Sequence, residues 1–124
     1  MTLSFSSFRL ALGFTVGLSL ASLSPAAAIS DSYRSLSARL VTQAEQKLAA
    51  NKAAQADELL NLALTANPGN ARAYVVKGQA QSKLDNQEEA LRVISVGLDI
   101  EPGDFVALRL KGDAALALGG IGQA

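Results

Sequence analysis

The chain has 124 residues, 11 basic and 11 acidic side chains, 49% hydrophobic residues, six aromatics, and neither cysteine nor histidine. That length fits one small domain, and without His or Cys the commonest proton shuttle, transition-metal ligands and thiol nucleophile are absent, so zinc, haem and most small-enzyme mechanisms are not expected. A net charge of zero leaves no electrostatic footprint for nucleic acid, which needs clustered excess Lys and Arg.

Residues 1–30 carry one charge, Arg9, followed by the 14-residue apolar run Leu10 to Leu23, then Ser24-Pro25 and Ala26-Ala27-Ala28. A positive start, a short apolar segment and small residues at a cleavage site are the pattern of a secretory signal peptide over 1–28, with cleavage expected after Ala28. The rival reading is a permanent membrane anchor, since 21 uncharged residues run from Leu10 to Ser30. Pro25, four serines and two glycines dilute that stretch and weigh against it. Lipidation after cleavage is ruled out by the missing Cys. The remaining domain, 29–124, holds 96 residues with 10 basic and 11 acidic side chains. It has no disulfides, so packing must supply its stability. The expected location is periplasmic or secreted, in a bacterium.

Beyond the leader, the pattern predicts five helices. Asp31 or Ser32 is placed to cap the first, over 33–49, with Tyr33, Leu36, Leu40, Ala44 and Leu48 on its buried face. Asn51 and Lys52 interrupt it. Ala56, Leu59, Leu60, Ala63 and Leu64 form the stripe of a second helix that ends before Asn67-Pro68-Gly69, because proline cannot continue a helix. Asn70 is expected to cap the third helix. Asn86, with Glu89 three residues on, resembles a capping box for a fourth helix running to about Ile100. Asp104 caps a fifth, Phe105 to Leu118. Three glycines in the last six residues, Gly119 to Ala124, are expected to end it. Leu108, Ala115, Leu116 and Leu118 would then be partly uncovered. Three explanations stand: the fifth helix is itself the cap, the chain is a truncated copy of a longer array, or a partner or second copy covers the face.

The chain also has a period. Pro68-Gly69 recurs as Pro102-Gly103, Gly78 as Gly112, Leu64 as Leu98, and Ala56 as Ala90 and Ala124, all 34 residues apart. Val76 to Leu84 (VKGQAQSKL) lies over Leu110 to Leu118 (LKGDAALAL). Helix propensity alone has no reason to keep such a spacing. Small residues where two helices cross let the backbones approach, while larger side chains fill the flanking grooves. The period and these residues resemble the tetratricopeptide repeat (TPR). In the unit 71–104, Tyr74 stands at the pattern's Trp, Gly78 at its Gly, Ala90 at its Ala, Ile94 at its Phe and Pro102 at its Pro. The unit 37–70 matches less fully, and 105–124 is incomplete. Lys77 and Lys111 depart from the usual Leu, and Gln81 and Ala115 from the usual Tyr.

The resemblance implies an all-α fold of antiparallel helix pairs in a right-handed superhelix, with about two and a half repeats. It implies a non-catalytic interaction module, with a peptide or partner-protein segment held in the groove lined by the first helix of each pair. Carried over residue by residue, that groove presents Val41, Glu45, Arg72, Val75, Gln79, Lys83, Arg109 and Asp113, with Leu48, Ser82 and Leu116 beside them. A subfamily clamp of basic and Asn residues for a terminal carboxylate would fall on Val41, Glu45, Val76, Val106 and Leu110, so it is missing. Arg72, Lys83 and Arg109 beside Val75 and Leu116 suit a peptide of some acidic character, although each charge alone is equally a solvated helix-face residue. The expected partner is a protein or peptide, with no cofactor, metal or nucleic acid, and with a membrane only if the leader stays uncleaved. The competing class is a structural subunit that makes a homo-oligomer or an envelope complex through the uncovered Leu108 to Leu118 face. Glu88/Glu89 and Asp57/Glu58 are adjacent carboxylates at helix starts, where they favour the helix dipole rather than acid–base chemistry. Neither a nucleophile elbow nor a phosphate-binding loop occurs.

Overall fold

The computed structural model describes residues 25–123, and these form five α-helices with no strand among the described residues. They are α1 (Pro25–Ala49), α2 (Ala53–Ala66), α3 (Ala71–Lys83), α4 (Gln87–Ile100) and α5 (Phe105–Gln123). The chain from Tyr33 onward is one compact unit; residues up to Ser32 fall to a separate one, described here only as the first turns of α1. The signal-peptide reading lies almost entirely outside the described residues. No described helix is long and apolar enough to cross a membrane.

The connections repeat as the helices do. The α1–α2 and α3–α4 turns each contain a residue in the left-handed region, Asn51 at φ 60° and Asp85 at φ 62°, 34 positions apart. Asn and Asp tolerate that conformation better than other side chains. The α2–α3 and α4–α5 connections are the two Pro-Gly turns. Caps at Asn70 and Asp104 are as expected: the Asn70 side chain accepts from the Ala73 N–H at 3.3 Å, and Asp104 Oδ1 accepts from the Val106 and Ala107 N–H groups at 2.9 and 3.2 Å.

Four expectations need correction. Asp31 and Ser32 lie inside α1, which begins at Pro25: proline is accepted in a first turn and the following alanines have the highest helix propensity. Asn86 does not cap α4 with its side chain; its amide donates instead to Gln81 Oε1 at 2.9 Å, and Glu89 binds Arg92. Helix α5 does not stop at Leu118 but runs to Gln123. Glycine inside a helix costs about 1 kcal/mol relative to alanine without blocking the hydrogen-bond ladder, as proline would. Finally, the buried stripe of α1 is Ser37, Val41, Ala44 and Leu48, whereas Tyr33 and Leu36 are exposed. Ala44 and Leu48 are buried as expected, and only in the first half of the helix is the stripe turned by one residue, to Ser37 and Val41 in place of Leu36 and Leu40.

The core is built in two layers. Val41, Ala44 and Leu48 of α1 meet Ala56, Leu60 and Ala63 of α2 and Ala73, Val76 and Ala80 of α3. Val75 of α3 meets Ala90, Ile94 and Leu98 of α4 and Ala107 of α5, with Leu110 packed alongside. Small residues set how closely the helices approach. At Gly78 a Cβ would lie 2.3 Å from Ile94 Cγ1, so the absent side chain is the space that Ile94 fills. Gly97 plays the same part from the other side, with Val75 Cγ2, the Ala71 carbonyl and Tyr74 Cβ all within 3.3 Å of its would-be Cβ.

Polar side chains tie the layers together. The fully buried Ser37 donates to the Ala63 carbonyl at 2.7 Å and accepts from the Asn70 amide at 2.9 Å, joining α1, the end of α2 and the cap of α3. Lys77, the departure from the usual Leu, reaches across to α2 and donates to Asp57 Oδ1 at 2.8 Å and Asn61 Oδ1 at 2.7 Å. Gln81 Nε2 donates to the same Asp57 oxygen at 2.8 Å. Lys77 and Gln81 therefore replace apolar filling with a satisfied network, and no buried side-chain N or O atom among the described residues lacks a partner.

Candidate functional site: a trough along α1, α3 and α5

The first helices of the repeats, α1, α3 and α5, contribute to a run of three shallow concavities. At one end, a hollow of about 140 Å³ is lined by Glu45, Arg72, Val75, Val76, Gln79, Asp104 and Val106. Gln79 also lines the next, of about 420 Å³, together with Leu48, Ala49, Ser82, Lys83 and Leu110. Lys83 in turn lines a third, of about 530 Å³, with Asn51, Lys52, Ala53, Ala54, Gln55 and Leu84. Successive hollows share one lining residue, Gln79 and then Lys83, so the three lie next to one another along α3 and are together called the trough.

The helical period explains which side chains reach it. On α3, positions 72, 75, 76, 79, 82 and 83 recur three or four apart and follow one face. Val75 and Val76 form its floor, each at most 5% exposed. Arg72 and Glu45 pair across α3 and α1, so the two charges at that end cancel. Asp104 is occupied by its cap bonds to the start of α5. At the other end Lys52 and Lys83 stand beside the first turn of α2, whose N–H groups have no side-chain cap, and no acid lines that hollow. One end of the trough therefore carries one more acid than base and the other is positive, with apolar contact from Leu48 and Leu110 between them.

Of the residues expected in the groove, Glu45, Arg72, Val75, Gln79 and Lys83 come together here, as do Leu48 and Ser82. Val41 does not: it is 1% exposed, in the α1–α2–α3 core, because the buried stripe of α1 passes through it. Arg109 and Asp113 are exposed on α5 and line none of these hollows. Arg109 occupies the place of Val75, which lines the trough from α3, so the period does not carry that role over to α5. Val76, Asp104, Val106 and Leu110 line the trough without having been expected there as ligand contacts. Val76, Val106 and Leu110 fall on the positions of the missing carboxylate clamp, so an apolar surface stands where that clamp would be.

The remaining charges lie outside the trough. Arg92 donates to Glu89 through Nε at 2.8 Å and Nη2 at 2.6 Å. That hydrogen bond holds the Glu89 carboxyl below the ordinary carboxylate range and raises the Arg92 guanidinium above its own. Among the described residues no group of acidic side chains is arranged to hold a metal ion.

No protein-family model and no curated protein sequence matches the chain. Among solved structures, the first TPR domain of Spaghetti (RPAP3), bound to the HSP90 peptide SRMEEVD, superposes with a TM-score of 0.66 at 28% identity, covering 72% of this chain and 69% of that one. The fold is therefore all-α and TPR-like, as the period of 34 implies.

Proposed function

We propose that this chain is a non-catalytic, exported interaction module that holds a peptide or partner segment in the trough along α1, α3 and α5. The observation that carries the reading is the row of adjacent hollows along α3, with Gln79 and then Lys83 common to successive ones. A TPR-like fold supports a protein-binding rather than a catalytic role, and the solved neighbour carries a bound peptide. With Val76, Val106 and Leu110 at the clamp positions, a terminal carboxylate finds no basic receptor at the Glu45–Arg72 end. The segment that fits has apolar residues against Leu48, Leu110 and Val106, and an acidic residue toward Lys52 and Lys83. Export rests on the composition of residues 1–28 and places the module in the periplasm or outside the cell.

A photo-crosslinking residue at position 79, with a control at the exposed Glu58 on α2, tests the trough in the native host. A discrete adduct at 79 that is absent at 58 and lost with Lys83→Glu is expected. Equal labelling at both positions refutes the assignment. For export, the mass of the accumulated protein should place its first residue at Ile29, and an intact Met1 terminus would overturn that part.

A further inference from the structure

The hollows of the trough differ in chemistry as well as in position. The first, of about 140 Å³, has a floor of Val75 and Val76 with Val106 beside them, and its charged groups are already engaged: Arg72 pairs with Glu45, and Asp104 caps α5. An apolar cavity of about 150 Å³ holds one benzene ring, so this hollow takes a single aliphatic side chain. The second, with Leu48 and Leu110, offers apolar contact as well. The third has Lys52 and Lys83 and no acid.

Gln79 stands between the first two hollows and Lys83 between the second and third, one helical turn or about 6 Å apart on α3. Alternate side chains of an extended chain point to one side and recur about every 6.6 Å, so residues i, i+2 and i+4 of such a chain enter the three hollows in turn. A helical ligand has nearly the same repeat, and Gln79 decides between the two. It is half-buried, and neither its amide nor the ammonium groups of Lys52 and Lys83 have a hydrogen-bond or ion-pair partner among the described residues. A side-chain amide both donates and accepts. An extended chain offers it unpaired backbone N–H and C=O groups, whereas a helix has already joined its own to one another.

Resting on the reading of the trough as the partner-binding surface, we propose that its occupant is an extended segment with the pattern aliphatic-x-aliphatic-x-acidic, in either chain direction. The first aliphatic side chain sits on Val75 and Val76, the second between Leu48 and Leu110, and the carboxylate meets Lys52 and Lys83. Gln79 bonds the main chain between the two aliphatic residues and so fixes the register.

Fluorescent peptides with blocked ends, carrying Leu-Ser-Leu-Ser-Asp or the reversed order, are titrated against the full chain by anisotropy. One of the two should bind saturably. A peptide of the same composition with its leucines adjacent, and one that spaces the same three residues four apart, should each bind about tenfold more weakly or worse. Exchanging the Asp for Asn should weaken binding about threefold at low salt and less at high salt. Gln79→Leu, which keeps the bulk and removes the amide, should weaken it about tenfold, and Lys83→Glu should abolish the advantage of the Asp peptide. Neither substituted side chain has a partner within the described chain, so both variants should keep the parent's melting temperature. The proposal is overturned if neither alternating peptide binds, if the adjacent or four-spaced peptide binds as well, or if Gln79→Leu changes nothing. Crosslinking at position 79 in the host does not depend on these peptides: if it persists beside such a result, the extended register is wrong and the trough still binds, whereas its loss removes the trough reading itself.

Discussion

Replacing Gly78 and Gly112 one at a time by alanine should change stability in opposite directions. At Gly78 the new Cβ meets Ile94 Cγ1 at 2.3 Å and Cδ1 at 2.7 Å, where ordinary contact begins near 3.4 Å. Ile94 must retreat by about 1 Å, yet it is 1% exposed and packed among Val75, Ala90, Leu98 and Ala107. Overpacking of this kind costs about 1–3 kcal/mol. The gain in helix propensity from glycine to alanine is about 1 kcal/mol, so the clash prevails by about 1 kcal/mol. At Gly112 the propensity gain is unopposed, and stability should rise by about the same amount. For a domain of this size each kcal/mol moves the melting temperature by about 4–8 °C, so the two variants should melt well apart, on either side of the parent. A coupling test sharpens the point: Gly78→Ala combined with Ile94→Ala should cost less than the sum of the two, by about 0.5 kcal/mol or more. If both alanine variants raise the melting temperature, or both lower it equally, the α3–α4 crossing is not held open by the missing side chain.

The polar bridge between α2 and α3 makes a second prediction. Asp57→Ala leaves Lys77 with Asn61 alone and Gln81 Nε2 without its acceptor. It should cost about 1–3 kcal/mol in urea denaturation, whereas Asp57→Asn, which keeps an acceptor, should cost less; equal losses would show that the network is not bound through that oxygen. A third concerns acid. Because Arg92 depresses the Glu89 carboxyl in the folded state, the unfolded chain takes up that proton more readily. The pair's contribution is therefore complete above the ordinary carboxylate range and is lost as pH falls through the depressed folded value. With side chains 63% and 33% exposed, it amounts to a few tenths of a kcal/mol. Denaturation midpoints of the parent and Glu89→Gln should differ at about pH 7 and draw together as the pH falls through the ordinary carboxylate range and below it; a constant difference would refute the linkage.

Residues whose role depends on chain neighbours were legible before any coordinates. Asn70 and Asp104 cap as their positions suggest, and the two Pro-Gly turns end α2 and α4. Residues whose role depends on helices distant in sequence were not. Val41 and Glu45 are one turn apart on α1, yet the first is core and the second lines the trough. Asn86 is a local exception: its amide donates to Gln81 Oε1, five residues earlier at the end of α3, instead of its side chain capping α4. Gly97 carried a visible signal, a glycine inside an otherwise uninterrupted helical stripe, which calls for a packing reason.

The repeat itself explains this division. A period of 34 gives equivalent residues the same backbone setting, as the left-handed Asn51 and Asp85 show, but it does not give them the same surroundings. Among the described residues Gly78 is filled by Ile94 and Gly112 by nothing; Val75 is buried with residues of α4 and α5, while Arg109 is exposed. On α1, Arg39, Thr42 and Gln46 stand where α3 has the buried Ala73, Val76 and Ala80, and on α5 Leu108 and Leu116 are exposed. Equivalent positions thus carry different residue types according to what packs against them, which is why the period predicts the backbone of each unit but not the role of each side chain.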